Sequence, residues 1–276
     1  MIARGSVLHV GGDGQPGGKW AGRAHAYAET FAGQCAHTVP VLLDALDPRP
    51  GSRLLDVGIG AGAVAAAAVV RGCVVTAVGP AADMLDLAAL AAPRASLARA
   101  ALPDLPFPDG AFDLVSANFV LNHVPDPRAA AGELARVLAP AGRVAGTVWP
   151  DGPSPLRRLW DDVVRDAGVQ PPRSVAPLPA DLDFPRTPDA LAGLLSAAGL
   201  RVERAWLHEF THVVEPDLWW SGVTRGVANI GQTYLAQDES GRTAMTAAFD
   251  RLSAAYLHAD GLLHLAGAAV MALGVR

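Results

Sequence analysis

Three glycines recur at alternate positions, Gly58, Gly60 and Gly62, between an apolar run at residues 54–57 and an alanine- and valine-rich run at residues 63–70. This order predicts a buried strand, a tight turn and a helix. Because glycine has no Cβ, such a turn brings the backbone close to a ligand. The helix directs unpaired N–H groups and its positive dipole end to the same point, which favours an anionic group of a nucleotide-like ligand. The turn alone is equally consistent with a connection that binds nothing.

The segments around this turn form the frame that positions it. Strands are predicted at residues 54–57, 74–78, 97–101, 112–117, 143–148, 200–214 and 262–275. Helices are predicted between them, at residues 63–70, 82–92, 127–138, 156–167, 189–198, 216–235 and 243–257. Alternating strands and helices indicate an α/β fold with a doubly wound, mainly parallel sheet. Ligands of such sheets bind at the carboxyl ends of the strands, here beside the first strand.

Composition limits the class of protein. The chain has 276 residues, of which 51% are hydrophobic, enough for one large α/β domain. The 22 basic and 27 acidic residues include no basic cluster, which argues against a nucleic-acid partner. We see no apolar stretch of membrane-spanning length and no signal peptide, and therefore expect a soluble cytoplasmic protein without a membrane partner. Cys35 and Cys73 are too few for a disulfide framework and lack metal-site spacing. Nothing in the sequence indicates an oligomeric state.

The expected organisation has three parts. Residues 1–19 are rich in glycine and predict a mobile arm, and residues 20–50 carry helical apolar spacing that predicts a lid ahead of the first strand. Residues 51–276 form the α/β domain, with a helical cap inserted near residues 215–258. Helices in the lid position can fold over the ligand-binding edge.

Four motifs stand together at family spacing: residues 54–62 (LLDVGIGAG), 105–113 (LPFPDGAFD), 118–126 (NFVLNHVPD) and 133–143 (ELARVLAPAGR). They resemble the class I S-adenosylmethionine-dependent methyltransferases, in particular the small-molecule branch related to the ubiquinone/menaquinone and natural-product enzymes. The resemblance implies a Rossmann-like seven-stranded sheet. It also implies S-adenosyl-L-methionine as cofactor, S-adenosylhomocysteine as product and a hydrophobic small molecule as substrate.

The resemblance also implies a set of cofactor-binding positions: Asp56, Gly58, Ile59, Gly60, Gly62, Gly79, Pro80, Met84, Ala101, Leu102 and Asn118. Two of them depart from the family pattern. Family members usually carry an acid for the ribose hydroxyls at the position of Gly79, and commonly an aspartate for the adenine amino group at that of Ala101. Asp83 and Asp104 are the available substitutes, although Asp83 also suits the first turn of a helix.

The sequence gives less specific evidence for catalytic and substrate-binding residues than for cofactor-binding residues. His123 follows the fourth strand and is the candidate base for an oxygen nucleophile, the alternative being a structural histidine. Aromatic residues are candidates for the substrate walls, with core packing as the alternative for each: Tyr27, Phe31, Trp149, Trp219 and Trp220. His208 and His212 share one face of a strand, but no third ligand for a metal is evident, so we predict no metal site.

Three functions fit these observations. The first is methyl transfer to a hydrophobic small molecule, as in natural-product biosynthesis. The second is a methyltransferase-like enzyme repurposed for cyclisation or another non-methylating reaction, which the loss of both acids at Gly79 and Ala101 would explain. The third is a non-catalytic binding or regulatory module.

Overall fold

A computed structural model describes residues 20–173 and 178–276. The strands are β1 (Arg53–Val57), β2 (Val74–Gly79), β3 (Ser96–Arg99), β4 (Phe112–Asn118), β5 (Leu138–Val148), β6 (Arg201–Val214) and β7 (Leu263–Val275). The helices are α1 (Ala24–Glu29), α2 (Ala32–Ala36), α3 (Val39–Leu46), α4 (Ala63–Val70), α5 (Ala82–Ala91), α6 (Pro127–Val137), α7 (Pro155–Asp166), α8 (Pro188–Ala197), α9 (Pro216–Thr224), α10 (Ala228–Leu235) and α11 (Glu239–Ser253). The predicted arm at residues 1–19 lies outside the described residues. In the described ranges no helix is both long and apolar enough to cross a bilayer.

The seven strands form one sheet in the order β3-β2-β1-β4-β5-β7-β6. Strands β1 to β5 pair in parallel, whereas β7 runs antiparallel to both β5 and β6. The predicted fold class is therefore confirmed. Because β1 lies between β2 and β4, the chain reverses its direction of winding there. A ligand-binding crevice is expected at the carboxyl ends of these strands.

The hairpin of β6 and β7 extends beyond this carboxyl edge. Pairing of β5 with β7 stops at Val148 and Val270, but pairing of β6 with β7 continues to Val214 and Leu263. Two antiparallel pairings in succession give β6 the same direction as β5. Helices α9 to α11, which join β6 to β7, therefore start from the same edge of the sheet as the glycine turn.

Apolar clusters cover both faces of the sheet. Helices α6 and α8 pack on one face, and α3, α4 and α5 on the other. Each fully buried leucine contributes about 1.5–3 kcal/mol relative to exposure; those in the helices of these two faces are Leu42, Leu43, Leu46, Leu134, Leu191 and Leu195. A third cluster joins α7, the helical insertion and the extended hairpin.

Two segments with predicted helical spacing are interrupted in the structure. The predicted helix over residues 216–235 is wrong as one element, because α9 ends and the chain turns at Gly226 with φ 77° before α10 begins. A Cβ on Gly231 would lie 2.2 Å from the carbonyl carbon of Gly226. The helical spacing over residues 20–50 does not give one continuous helix ahead of α3: α1 and α2 are separated at Thr30, whose hydroxyl donates to the carbonyl of Ala26 at 2.6 Å.

Strand β5 starts earlier than predicted. It includes residues 140–142, whose sequence, proline–alanine–glycine, is typical of a turn. Its register against β4 shifts between the pairs Phe112–Leu138 and Leu114–Arg143, which marks a bulge. Such a bulge places more residues of one strand opposite fewer of its partner. The turn signal is therefore a local irregularity within the strand.

Candidate active site

The glycine turn follows β1 directly. The backbone N–H groups of Gly58 and Ile59 both donate to the carbonyl of Val78 at 2.9 Å, which ties the turn to the end of β2. All three glycines have positive φ: 73° at Gly58, 51° at Gly60 and 89° at Gly62. These values lie in the region that glycine adopts at little cost. The glycines are therefore needed for the backbone conformation of the turn as well as for the room that a missing Cβ leaves beside it.

The absence of a Cβ makes room for a different neighbour at each of the three glycines. A Cβ on Gly62 would lie 3.1 Å from the Cα of Ala88, so this glycine permits close packing of α4 on α5. A Cβ on Gly58 would lie 2.5 Å from a methyl carbon of Val120, and one on Gly60 would lie 3.4 Å from the ring of Tyr27. Gly58 and Gly60 thus lie against residues at the carboxyl edge of the sheet, whereas Gly62 lies against α5.

Asp56 lies at the end of β1 with 1% of its surface exposed. Its Oδ1 accepts a hydrogen bond from the Ser116 hydroxyl at 2.8 Å, while Oδ2 is buried and has no partner among the described residues. Burial raises the pKa of Asp56 to about 7, although the Ser116 hydroxyl and the backbone N–H of Ala65 act in the opposite direction. An unsatisfied buried carboxylate oxygen is costly. A ligand ammonium group would supply the missing donor.

Tyr27 of α1 covers the glycine turn. Burial raises the pKa of the Tyr27 hydroxyl well above its ordinary value. The charge of Cys35, a hydrogen bond with the Cys35 side chain and the charge of Asp56 act in the same direction. Trp20 packs edge-on against Tyr27, with ring centroids 5.7 Å apart. Residues 20–36, part of the lid predicted at residues 20–50, thus pack over the glycine turn, and we call them the lid; their function as a lid stays a prediction.

His123 lies at the rim of this lid. Its side chain is exposed and makes an edge contact with Trp20, with ring centroids 5.4 Å apart. Its role as a base stays a prediction.

Asn118, at the end of β4, links the lid to the sheet. Its Oδ1 accepts hydrogen bonds from the hydroxyls of Thr38 at 2.8 Å and Thr147 at 2.6 Å, and its Nδ2 donates to the carbonyl of Cys35 at 3.3 Å. The side chain is therefore committed to protein partners. Any contact of Asn118 with a cofactor would involve its backbone.

The expected adenosine end has no free acid at its usual positions. A Cβ on Gly79 would lie 3.0 Å from a methyl carbon of Ile59, so this position has little room for a side chain. Ala101 lies in an exposed turn, where its carbonyl accepts from the backbone N–H of Asp104 at 3.1 Å. Pro80 is exposed, whereas Met84 and Leu102 are buried.

Asp83 anchors the lid. Its Oδ2 accepts hydrogen bonds from the backbone N–H groups of Gly22 at 2.8 Å and Ala24 at 3.3 Å, at the start of α1. Met84, the next residue of α5, packs with Ala24 and Ala81 in a small cluster that also includes Trp20 and Tyr27. Of the two acids considered as ribose partners, Asp83 is thus engaged by the lid.

We expect Asp83→Ala to loosen the lid. Loss of a carboxylate that accepts two backbone hydrogen bonds should speed amide exchange of residues 22–30 roughly tenfold. Hydrogen exchange followed by mass spectrometry measures this directly. Asp86→Ala, an exposed acid of the same helix, is the matched control and should leave these amides unchanged. Equal exchange in both variants would contradict the anchoring role.

A network around Arg136 holds the loop that leads into β4. The Arg136 guanidinium pairs with Glu133 and Asp109 at 2.7 Å and donates to the backbone carbonyls of Leu105 and Phe107. The second and fourth motifs of the sequence therefore meet in space. Their joint role is to brace the loop that begins at the expected adenine position.

The predicted aromatic walls divide into two groups. Trp149 is half-buried and stacks on Phe119 at 4.0 Å beside the end of β4. Trp219 and Trp220 are 3% and 8% exposed, and both stack on Phe249 inside the helical insertion. Both indoles therefore have packing roles here, the alternative that the sequence leaves open.

Phe31 is also buried, between the lid and the insertion. It makes an edge contact with Trp219, with ring centroids 5.9 Å apart. A Cβ on Gly222 would lie 2.7 Å from the ring of Phe31, so the glycine admits this ring. Arg225 and Glu29 pair across the same contact at 2.6 Å. The insertion therefore holds the lid from the side opposite Asp83.

A pair of histidines that sequence reasoning did not connect lies under α2. His37 Nε2 and His212 Nδ1 are 3.3 Å apart, and His212 is 6% exposed. The sequence places His212 on one strand face with His208, but its pairing with the lid depends on tertiary packing. No group of three or more potential metal ligands is arranged for a metal ion in the described ranges.

The comparisons with known proteins point in one direction. Residues 55–146 match the family model described as a methyltransferase domain. Nocamycin O-methyltransferase of Saccharothrix syringae is 36% identical over 185 residues, covering 61% of this chain and 65% of that protein. Demethylmenaquinone methyltransferase of Clavibacter sepedonicus is 36% identical over 126 residues, 45% of this chain and 51% of that protein. The chain thus spans less than two thirds of either relative.

Solved structures share the fold at low identity. The YcgJ protein of Bacillus subtilis superposes with a TM-score of 0.53 at 18% identity, over 87% of this chain and 98% of that chain. The [4+2]-cyclase SpnF superposes with a TM-score of 0.52 at 18% identity, over 99% of this chain and 87% of that chain. Likeness at these identities concerns the fold alone.

Proposed function

Because the chain carries a methyltransferase domain of the class I S-adenosylmethionine-dependent family at residues 55–146, we propose that it methylates a small hydrophobic substrate. The observation that carries the proposal is the buried, unpartnered Oδ2 of Asp56 beside the glycine turn. That oxygen suits an ammonium group such as the one in the methionine part of the cofactor. The name of the relative from Saccharothrix syringae specifies O-methyl transfer, and we propose oxygen as the acceptor atom here.

The residues present fit this cofactor at its methionine end. Asp56 would bind the amino group, while Gly58 and Gly60 offer backbone without side chains. The positive end of α4 favours an anionic group, such as a carboxylate, at the turn. S-adenosylmethionine supplies an electrophilic methyl group when bound. The protein's contribution is to bind, to align a nucleophile and to exclude water.

The lid and the insertion are suited to water exclusion. Tyr27 covers the turn, and Phe31 fits against Gly222 of α9. Trp149 and Phe119 present a stacked aromatic pair beside the end of β4. An enclosed edge with aromatic sides favours an apolar, ring-containing substrate.

A second candidate is a non-methylating enzyme, such as a cyclase. It is favoured by the missing carboxylates at Gly79 and Ala101 and by the engagement of Asp83 with the lid. Two lost hydrogen bonds to charged acceptors would weaken cofactor binding by roughly a hundredfold or more. The fold it shares with SpnF does not decide between the two candidates.

Transfer of label distinguishes them. The protein is incubated with methyl-labelled S-adenosylmethionine and a panel of phenols, enols and carboxylic acids, and label is counted in the organic extract. Methylation predicts labelled ether or ester that depends on the protein. Binding of the cofactor without label in any product would favour the second candidate.

A further inference from the structure

His212 is a buried polar residue with one unused hydrogen-bonding atom. It lies on the extension of β6 beyond the sheet edge, close to Gly33 of α2, on which an added Cβ would lie 3.8 Å from Cε1 of His212. Its Nδ1 is 3.3 Å from Nε2 of His37, while its own Nε2 is buried without a partner in the described part of the chain. Native proteins rarely leave such an atom unsatisfied.

The surroundings of this pair are aromatic. His37 stacks on Phe210 with centroids 4.8 Å apart, and Phe210 lies 6.4 Å from Trp149. Trp149 in turn stacks on Phe119, next to Asn118 at the end of β4. A continuous row of rings therefore connects the histidine pair to the sheet edge that carries the glycine turn.

Backbone continuity makes the same connection. Thr38 follows His37 in the chain, and its hydroxyl donates to Asn118 at 2.8 Å. One hydrogen bond thus links the residue that follows His37 to the end of β4, where the cofactor is predicted to bind.

The pair is uncharged at neutral pH. Burial, and after it the charge of His37, lowers the pKa of His212 to about 4. Burial, and after it the charge of His208, lowers the pKa of His37. These are the titratable groups that act on the two rings. A neutral imidazole among aromatic rings suits a neutral hydrogen-bonding group rather than an ion.

We propose that Nε2 of His212, oriented by His37, is the recognition point for the hydroxyl group of a phenolic or enolic substrate. The proposal rests on the proposed methyl transfer and specifies its substrate class. If the N–H at Nδ1 of His212 donates to His37, Nε2 of His212 carries no proton and accepts a hydrogen bond from the substrate hydroxyl. If His37 donates to Nδ1 of His212 instead, Nε2 of His212 carries the proton and donates to the hydroxyl oxygen. A hydroxyl serves both tautomers because it is donor and acceptor, whereas a carbonyl serves only one.

The test compares two ligands that differ by the hydroxyl. Binding of 4-ethylphenol, which is uncharged at neutral pH, and of ethylbenzene is measured by calorimetry, both with and without S-adenosylhomocysteine. We expect wild-type protein to prefer 4-ethylphenol about tenfold, the value of one buried hydrogen bond. Binding of S-adenosylhomocysteine is a separate readout, so failure of the cofactor proposal and failure of the hydroxyl site are distinguishable.

Two substitutions at one position sharpen the test. His212→Asn places an amide near the position of Nδ1 and deletes the group at Nε2, so the preference should disappear. His212→Gln places an amide near Nε2 and should keep part of it. His37→Asn, at a half-buried position, should reduce the preference while leaving His212 in place. His258→Ala, at an exposed site, should leave it unchanged. No preference in wild type, or full preference in His212→Asn, would overturn the proposal.

Discussion

Asp56→Asn should weaken binding of S-adenosylmethionine by about 10- to 100-fold. A hydrogen bond to a charged group is worth about 1.5–3 kcal/mol, and each 1.4 kcal/mol is a factor of about ten in affinity. The substitution keeps the size of the side chain and its contact with Ser116 but removes the charge that we assign to the cofactor's ammonium group. Calorimetric titration measures the change. Asp86→Asn, at an exposed acid of α5, is the control and should bind like wild type.

The same variant should alter the pH dependence of binding. Because burial raises the pKa of Asp56 to about 7, the ligand-free protein is partly protonated there at neutral pH. A cation favours the ionised form, so wild-type affinity should fall as pH drops below about 7, with proton release on binding. Asp56→Asn should show neither effect. Ser116→Ala removes a donor that lowers this pKa and should move the midpoint upward. Identical pH profiles in wild type and Asp56→Asn would contradict the assignment.

Stability of the ligand-free protein supplies a second readout with a defined sign. The pKa of Asp56 is higher in the folded than in the unfolded state, where the ordinary value is 3.8. Its contribution is therefore fully present below about pH 4 and is lost as pH rises through about 7. Wild-type melting temperature should fall over this window relative to Asp56→Asn. Saturating cofactor should reduce the difference, since it supplies the missing partner.

Gly58→Ala should lower the free energy of unfolding by about 2–5 kcal/mol. A positive φ costs an alanine about 1–2 kcal/mol, and overpacking against Val120 adds about 1–3 kcal/mol. The added methyl also occupies space above the glycine turn, so cofactor affinity should fall in the protein that remains folded. Urea unfolding and calorimetry measure the two effects separately.

Two matched variants separate backbone from contact. Gly168→Ala, with φ 65° and no atom within 4 Å of the added Cβ, should show only the backbone cost. Val120→Ala combined with Gly58→Ala should recover the steric part. If Gly58→Ala cost no more than Gly168→Ala, close approach at the turn would play no part in stability.

Local pattern was sufficient for the sheet and its glycine turn. Residues 54–70 contain the strand, turn and helix within one short segment, and the four motifs set the order of the elements around it. Helix breaks were harder to predict. The one at Gly226 depends on the approach of Gly231, and the one at Thr30 accompanies contact with Gly222 across the fold.

Several features of the site depend on partners distant in sequence. Asp83 accepts from Gly22, 61 positions earlier, and His37 meets His212, 175 positions later. Apolar periodicity carries no information about such pairs. The sequence places Trp219 and Trp220 on an inserted helix, where their indoles are predicted to be accessible to a ligand. Only their stacking on Phe249 shows that they pack inside the insertion.

The central claim is that Asp56 and the glycine turn bind the methionine end of S-adenosylmethionine. Calorimetric titration of the wild-type protein with S-adenosylhomocysteine at pH 8, repeated with Asp56→Asn, tests it most directly. We predict one-to-one binding with a dissociation constant well below roughly 1 mM, weakened at least about tenfold by the substitution. Absence of binding at millimolar ligand, or equal affinity of the two proteins, would contradict the claim.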